Sequence, residues 1–186
     1  MKAVLISIKP EWCELIADGR KTVEVRKTRP KLETPFKCYI YETQGLYKGS
    51  GGCLFNGRGK IIGEFVCDDI NTTDVVYGNE EVGWYVNNMH AVKGSGLDEY
   101  DVLCYCPKEA TIYGWHISDL VIYDRAKELS EFYRKCKKFA CEGCEHLKYQ
   151  RVNADEYDYE CEYFHYHIPI TRPPQSWCYV EELKGE

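Results

Sequence analysis

The chain has 186 residues, of which 44% are apolar and 14% aromatic, and its formal net charge is −6. This composition predicts one folded domain with its own hydrophobic core and excludes a disordered chain. No apolar run reaches the roughly 18 residues of a membrane span. The first residues, MKAVLISIKPEW, are too short and too soon charged for a signal peptide. We therefore expect a cytoplasmic protein.

Charge is distributed unevenly along the chain. Residues 1–31 contain eight lysines or arginines and four acids, a net charge of +4, which leaves −10 for the remainder. A long duplex would be repelled by most of this surface, so a general nucleic-acid-binding surface is disfavoured. The pattern predicts one local cationic site for a phosphate or a short strand.

The first 28 residues predict a strand, a helix and a second strand. KAVLISI (2–8) is typical of a buried strand, and PEWCELIADG (10–19) has helical spacing between an initial proline and a final glycine. KTVEVRKT (21–28) alternates between polar and apolar residues, as a strand with one buried face does. The polar face of this second strand therefore becomes the region of interest.

The middle of the chain predicts mostly short strands. FKCYIYE (36–42) and GKIIGEFVCDDI (59–70) are typical of strands, and the glycine-rich segment between them favours a hairpin tip. NEEVGWYVNNMHAV (79–92) and LDEYDVLCYC (97–106) are compatible with helices. ATIYGWHISDLVIYD (110–124) predicts a strand or strand pair.

The last third predicts one more helix and a closing strand. RAKELSEFYRKC (125–136) indicates a helix with Leu129, Phe132 and Tyr133 on one side, and RPPQSWCYVEEL (172–183) indicates a turn and a strand. Many short strands with few helices favour a mainly β fold, an α+β small barrel with short flanking helices, over alternating βαβ units.

Three segments, in this order, resemble the ASCH domain family of the PUA-like superfamily: GRKTVEVR (19–26), GWHISDLVIYD (114–124) and PPQSWCYVEEL (173–183). The resemblance covers residues 1 to about 130 and 168–183. It implies a PUA-like β-barrel with a cleft beside the first motif, and binding of RNA or of a modified nucleotide.

The charged residues of the first motif suit such a ligand. A strand places Val23 and Val25 toward the core and Glu24 and Arg26 on the other face, about 7 Å apart. Lysine and arginine bind phosphate or carbonyl oxygen, and a carboxylate accepts hydrogen bonds from a base amino group. The alternative is that Glu24 and Arg26 only form ion pairs on an exposed face.

Further ligand-binding candidates surround this set. Charge, stacking or base-edge contacts are expected from six residues, namely Lys9, Trp12, Tyr41, Gln175, Ser176 and Trp177. Trp12 and Trp177 are also good core residues, and residues of a proline-rich turn are often structural.

Some relatives are enzymes, which leaves a hydrolase as an alternative. The resemblance implies an amidohydrolase acting on a nucleoside such as N4-acetylcytidine, or a ribonuclease, with Lys21, Glu24 and Arg26 as catalytic candidates. Three residues after the motif lysine the amidohydrolases have threonine, whereas this chain has Glu24. Burial would lower the pKa of Lys21 toward that of a base or nucleophile, while the neighbouring carboxylate would raise it.

A cysteine cluster follows the predicted last helix. Its four cysteines are spaced x4, x2 and x16, namely Cys136, Cys141, Cys144 and Cys161. Four thiolates complete a tetrahedral structural zinc site, and a short segment poor in aliphatic residues benefits from such a site. Replacement of one cysteine by His146, His165 or His167, an iron-sulfur cluster and unligated thiols remain alternatives.

We expect residues 1–186 to form a single ASCH/PUA-like domain with residues 136–167 as a cysteine-rich, zinc-binding insertion. A third functional possibility is a protein-interaction module that uses this tyrosine-rich, acidic region. The oligomeric state and the particular nucleotide are not determined by the sequence.

Overall fold

The computed structural model describes the backbone of residues 2–49, 52–135, 147–153, 156–161 and 167–183. The helices are α1 Pro10–Ala17 and α2 Glu99–Tyr105, with single 3-10 turns at His90–Val92 and Leu129–Glu131. The strands are β1 Lys2–Ile8, β2 Val23–Arg26, β3 Phe36–Glu42, β4 Gly45–Lys48, β5 Leu54–Gly57, β6 Ile61–Cys67, β7 Ile70–Tyr77, β8 Trp84–Val86, β9 Ala110–His116, β10 Ser118–Lys127, β11 Tyr133–Lys135, β12 Leu147–Asn153, β13 Glu156–Cys161, β14 His167–Pro169 and β15 Trp177–Glu181.

The larger sheet has five strands in the order β10-β6-β3-β1-β15. Strand β1 pairs in parallel with β3 and antiparallel with β15. Residues 3–8 of β1 are all buried, because both faces of the sheet are covered. This explains why the segment is a continuous apolar run.

The smaller sheet is antiparallel, in the order β2-β9-β7-β8. Its register places Glu24 of β2 opposite Trp115 of β9. Three two-stranded pairs accompany the sheets: β4 with β5, β11 with β14, and β12 with β13. The mainly β architecture, with a curled half-barrel sheet, confirms the predicted PUA-like fold.

Three hydrophobic cores hold these layers together. The first joins one face of β1 and β3 to α1 and β9, and it contains the fully buried Trp115. The second covers the other face of the five-stranded sheet and contains Phe132. The third lies between the smaller sheet and α2. Strand β1 is therefore anchored from two sides, and α1 packs against one of them.

The predicted helix at 125–136 is wrong. Strand β10 continues to Lys127, which pairs with Ile61 of β6, and the chain then makes a single 3-10 turn before β11. Phe132 is fully buried in the second core. Pairing with a neighbouring strand and burial of this ring override the weak helical pattern, as tertiary context commonly does.

Two other segments differ from the prediction, and one helix is confirmed. Residues 79–92 form β8 and a 3-10 turn, since Val86 pairs with Val75 of β7 and packs in the third core. The predicted strand at 59–70 is interrupted after Cys67, where the chain passes to the smaller sheet. The helix expected within 97–106 is α2, which begins with a capping box. Among the described helices, none is long and apolar enough to cross a membrane.

Candidate functional site

The end of α1 positions Lys21. Gly19 adopts the left-handed conformation, with φ of 72°, that commonly ends a helix. The backbone N–H groups of Arg20 and Lys21 then both donate to the carbonyl oxygen of Leu15 at 2.9 Å. The chain turns back at this point, and the Lys21 side chain lies in the interior, only 3% exposed.

Strand β2 supplies the other two charged groups. Glu24 and Arg26 lie on the same face, as predicted, but this face is buried: their side chains are 7% and 12% exposed. Glu24 Oε2 lies 3.3 Å from Lys21 Nζ, and Glu24 Oε1 lies 3.0 Å from Arg26 Nη2. The carboxylate therefore bridges two cations in a network of low solvent exposure, which differs from a pair on an exposed face.

The Lys21 ammonium group has three acceptors around it. Nζ donates to the carbonyl oxygens of Val23 at 2.8 Å and Ser95 at 2.9 Å, in addition to Glu24. It also lies 5.1 Å from the centroid of the Trp12 ring. All three N–H bonds of a protonated lysine are thereby satisfied, so these contacts favour the charged form.

Two glycines bring the Ser95 carbonyl to Lys21. Gly94 has φ of 87°, and its carbonyl oxygen accepts hydrogen bonds from Thr22 and Val23 of the neighbouring segment. A Cβ atom at Gly114 of β9 would lie 1.7 Å from the Ala91 carbonyl oxygen, which no side chain permits. Absence of a side chain at both positions allows the 91–95 segment to pack against β2 and β9.

Burial and the neighbouring carboxylate act in opposite directions on Lys21. Burial, the larger effect, lowers the pKa of Lys21 below its ordinary value, and the charge and hydrogen bond of Glu24 raise it. Both effects expected from the sequence are present. The contacts with Glu24 therefore oppose the effect of burial on the charged form of Lys21.

A cavity of about 420 Å³ opens beside this network. It is bordered by the end of β1, the start of α1, strand β2, the β3–β4 connection with β4, helix α2 and the loop before β15. The lining residues are Ser7, Ile8, Lys9, Glu11, Trp12, Lys21, Glu24, Val25, Arg26, Thr43, Tyr47, Leu97, Asp101, Tyr105 and Gln175. The charged residues thus pair with one another and still border an open hollow.

The lining combines aromatic rings with groups of both charges. Trp12, Tyr47 and Tyr105 contribute three rings. Three lysine or arginine and three glutamate or aspartate side chains contribute formal charges that cancel. Arg26 Nη2 also donates to the Ser7 carbonyl oxygen, while its buried Nε has no hydrogen-bond partner among the described residues. Such a surface suits a flat, polar, weakly charged molecule.

The structure brings together some of the predicted ligand-binding residues. Lys9, Trp12 and Gln175 line the cavity. Tyr41 does not line it, because its ring is 5% exposed and packs in the second core.

Ser176 and Trp177 also lie outside the lining. The Ser176 carbonyl oxygen accepts from the backbone N–H of Ser7 at 2.9 Å, which fixes the loop before β15. The Trp177 ring packs beside Trp115 and Tyr179, and its Nε1 donates to Thr28 Oγ1 at 3.0 Å.

Among the lining residues that the sequence did not predict are Tyr47, Asp101 and Tyr105. Asp101 and Tyr105 are four positions apart on α2 and so share one helix face. The Asp98-x-x-Asp101 capping pattern marked the start of this helix and was the available signal. Tyr47 belongs to β4 in the glycine-rich segment, where the sequence predicted only a hairpin tip.

The predicted zinc ligands are not tested by the structure. Cys136, Cys141 and Cys144 lie outside the described residues, as do His146 and His165. Cys161 is the last residue of β13, and its side chain and that of His167 in β14 are not described. The seven cysteines whose side chains are described, Cys13, Cys38, Cys53, Cys67, Cys104, Cys106 and Cys178, are free thiols.

The fold is similar to that of solved ASCH proteins from Zymomonas mobilis. A serine-to-alanine variant of ZmASCH has a TM-score of 0.56 and 19% identity, with 97% of this chain and 89% of that chain covered. A tyrosine-to-phenylalanine variant has a TM-score of 0.51 and 21% identity, with 69% and 77% covered. At this identity the likeness shows the fold alone. A search of the curated proteins found no match.

A comparison with protein-family models agrees with the motif beside the cavity. The model of the ASCH domain matches residues 6–167, a range that contains the motif with Lys21, Glu24 and Arg26. The match extends over most of the chain. The protein therefore belongs to the ASCH domain family.

Proposed function

We propose that the cavity binds a nucleobase of RNA or of a modified nucleotide. The observation that carries this proposal is the cavity itself, about 420 Å³ beside the Lys21, Glu24 and Arg26 network. This volume lies within the range of roughly 300 to 1,000 Å³ typical of small-molecule sites. ASCH domains are generally linked to RNA binding, which supports a nucleic-acid ligand.

The chemistry of the lining favours the base over the phosphate. Trp12, Tyr47 and Tyr105 offer rings on which a base can stack. The Gln175 amide provides both a donor and an acceptor for a base edge. Because the formal charges of the lining cancel, the cavity offers a phosphate no net attraction, whereas a flat heterocycle needs none.

Tyr105 tests this proposal with a matched control on the same helix. The Tyr105 side chain is 38% exposed and lines the cavity, whereas Tyr100 is 73% exposed and does not. We expect Tyr105→Ala to weaken nucleoside binding about tenfold, because stacking contributes roughly 1 to 3 kcal/mol per base. Isothermal titration with the four ribonucleosides and N4-acetylcytidine measures the change.

Tyr100→Ala should leave the affinity within about twofold of the wild-type value. A nucleoside that binds equally to wild type and to Tyr105→Ala contradicts the proposed position of the base. A panel in which none of the five nucleosides binds removes the proposal altogether.

Hydrolysis of a modified nucleoside or of RNA is the second candidate. One observation favours it: burial lowers the pKa of Lys21, which lines the cavity. However, Nζ already donates to Val23, Ser95 and Glu24, and a lysine that acts as base or nucleophile must give up one of these contacts.

We therefore expect N4-acetylcytidine and short RNA to remain intact after incubation with the protein, as measured by mass spectrometry. Lys21→Ala serves as the control. Product formation by the wild type that is lost in Lys21→Ala would replace the binding proposal with the hydrolase. The zinc site at Cys136, Cys141, Cys144 and Cys161 and the cytoplasmic location stay predictions from the sequence.

A further inference from the structure

A strip of basic and aromatic side chains continues from the cavity along the surface. We call it the basic strip, and its members are Lys27, Thr28, Arg29, Lys31, Trp177 and Tyr179. The first four are exposed, and the two aromatic residues are half-buried against the first core. This surface is distinct from the cavity lining, which contains none of the six.

Two contacts connect the basic strip to the cavity. Lys27 directly follows Arg26, and its Nζ lies 4.4 Å from the centroid of the Tyr105 ring, which lines the cavity. Gln175 also lines the cavity, and it precedes Trp177 by two residues. The strip therefore starts at the cavity rim.

Two hydrogen bonds hold the segments of the strip side by side. Trp177 Nε1 donates to Thr28 Oγ1 at 3.0 Å, and the Lys31 backbone N–H donates to the Tyr179 hydroxyl at 2.6 Å. Both segments thus run away from the rim in the same direction. At about 3.3 Å per residue, strand β15, residues 177–181, extends roughly 13 Å, enough for a few nucleotides.

The charge of the strip complements that of the cavity. Within the described part of the chain, no ion pair joins Lys27, Arg29 or Lys31 to a carboxylate. The cavity lining has balanced charges, whereas the strip carries three cations beside two aromatic rings. This is the combination of cationic groove and stacking surface found in proteins that bind single strands.

We infer that the ligand is a single-stranded RNA segment of several nucleotides and not a free nucleotide. One base enters the cavity, the flanking phosphates contact Lys27, Arg29 and Lys31, and a flanking base stacks on Trp177 or Tyr179. This inference rests on the proposed function, because the cavity anchors the strand. It adds that most of the affinity and its salt dependence arise outside the cavity.

Fluorescence anisotropy with labelled hexanucleotides of A, C and U, together with competition by the matching nucleoside monophosphates, tests the inference. We expect a hexanucleotide to bind at least tenfold more tightly than its monophosphate. Lys27→Ala/Lys31→Ala should weaken hexanucleotide binding about tenfold and reduce the slope of log K against log salt by about 1.4, since each phosphate contact contributes about 0.7. The affinity for the monophosphate should fall less than the affinity for the hexanucleotide, because its single phosphate can contact only one of the two lysines.

Arg125→Ala/Lys127→Ala is the matched control, because it removes the same charge from β10, which lies at the opposite edge of the five-stranded sheet from β15. It should leave hexanucleotide affinity within about twofold. Equal affinity for hexanucleotide and monophosphate would overturn the proposed role of the basic strip in RNA binding, and so would an unchanged salt slope in Lys27→Ala/Lys31→Ala. Either result would leave the proposal for the cavity standing. Failure of both ligands to bind wild type would overturn both. Circular dichroism confirms that each variant is folded.

Discussion

Glu24→Gln is expected to lower the free energy of unfolding by about 3 to 5 kcal/mol, which is typical of the loss of one partner from a buried ion pair. The substitution keeps the size of the side chain and removes only its charge. Lys21 and Arg26 would then remain as buried cations without their shared carboxylate. Urea unfolding at pH 7 measures the change.

Asp18→Asn makes the same chemical change in an exposed pair. The side chains of Arg20 and Asp18 are 65% and 58% exposed and lie 2.8 Å apart. Exposed pairs contribute only about 0 to 1 kcal/mol, and salt screens them further. If Glu24→Gln cost no more than Asp18→Asn, the carboxylate would not be the structural centre of the site.

Alkaline pH is expected to destabilise the protein steeply. Burial raises the pKa of the Cys13 and Cys38 thiols and raises the pKa of Cys67 to about 12, above the ordinary value of 9.0. Above pH 9 the unfolded chain therefore loses thiol protons that the native state retains. Each thiol then lowers the free energy of unfolding by about 1.4 kcal/mol per pH unit.

Lys21 acts in the opposite direction over part of this range. Its pKa is lowered in the native state, so the native state loses this proton first, and stability rises with pH until the unfolded lysine titrates near 10.5. One of the three thiol contributions is therefore offset. Burial also raises the pKa of the Cys178 thiol and of the Tyr39, Tyr41, Tyr105 and Tyr123 hydroxyls, which adds to the fall. We expect a net fall of at least about 3 kcal/mol per pH unit between pH 9.5 and 10.5.

Urea unfolding measured at several pH values separates these contributions. Cys13→Ala should make the fall with pH shallower by about 1.4 kcal/mol per unit, whatever its effect on stability at pH 7. Cys53→Ala removes an exposed thiol and serves as the control variant. A slope that Cys13→Ala does not alter would show that this thiol titrates normally in the native state.

Local patterns in the sequence were sufficient to predict the first three elements of the N-terminal region. The apolar run 2–8, the proline and glycine that bound 10–19 and the alternation of 21–28 correspond to β1, α1 and β2. These elements are specified by residues within a few positions of one another. The helix predicted at 125–136 failed because its residues are held by β6 and by the second core, which are distant in sequence.

The candidate site likewise has some features that the sequence predicts and others that only the packing decides. That Lys21, Glu24 and Arg26 act together follows from spacing on one strand and its preceding turn. Their burial does not follow from this spacing, because it depends on distant partners such as Ser95, which is 74 residues away from Lys21. The cavity likewise depends on Tyr105 and Gln175, which only the packing of α2 and the loop before β15 brings to β2.

By itself, the sequence determined the family motif, the concentration of positive charge near the N-terminus and the residue types available to a ligand. Only the tertiary structure decided which aromatic rings face the cavity, that Tyr41 is in the core and that Trp177 lies on the surface beside the rim. The physical reason is the distance along the chain over which each kind of signal acts. Alternation and capping act between near neighbours, whereas a cavity is the space left between segments whose mutual packing no local pattern records.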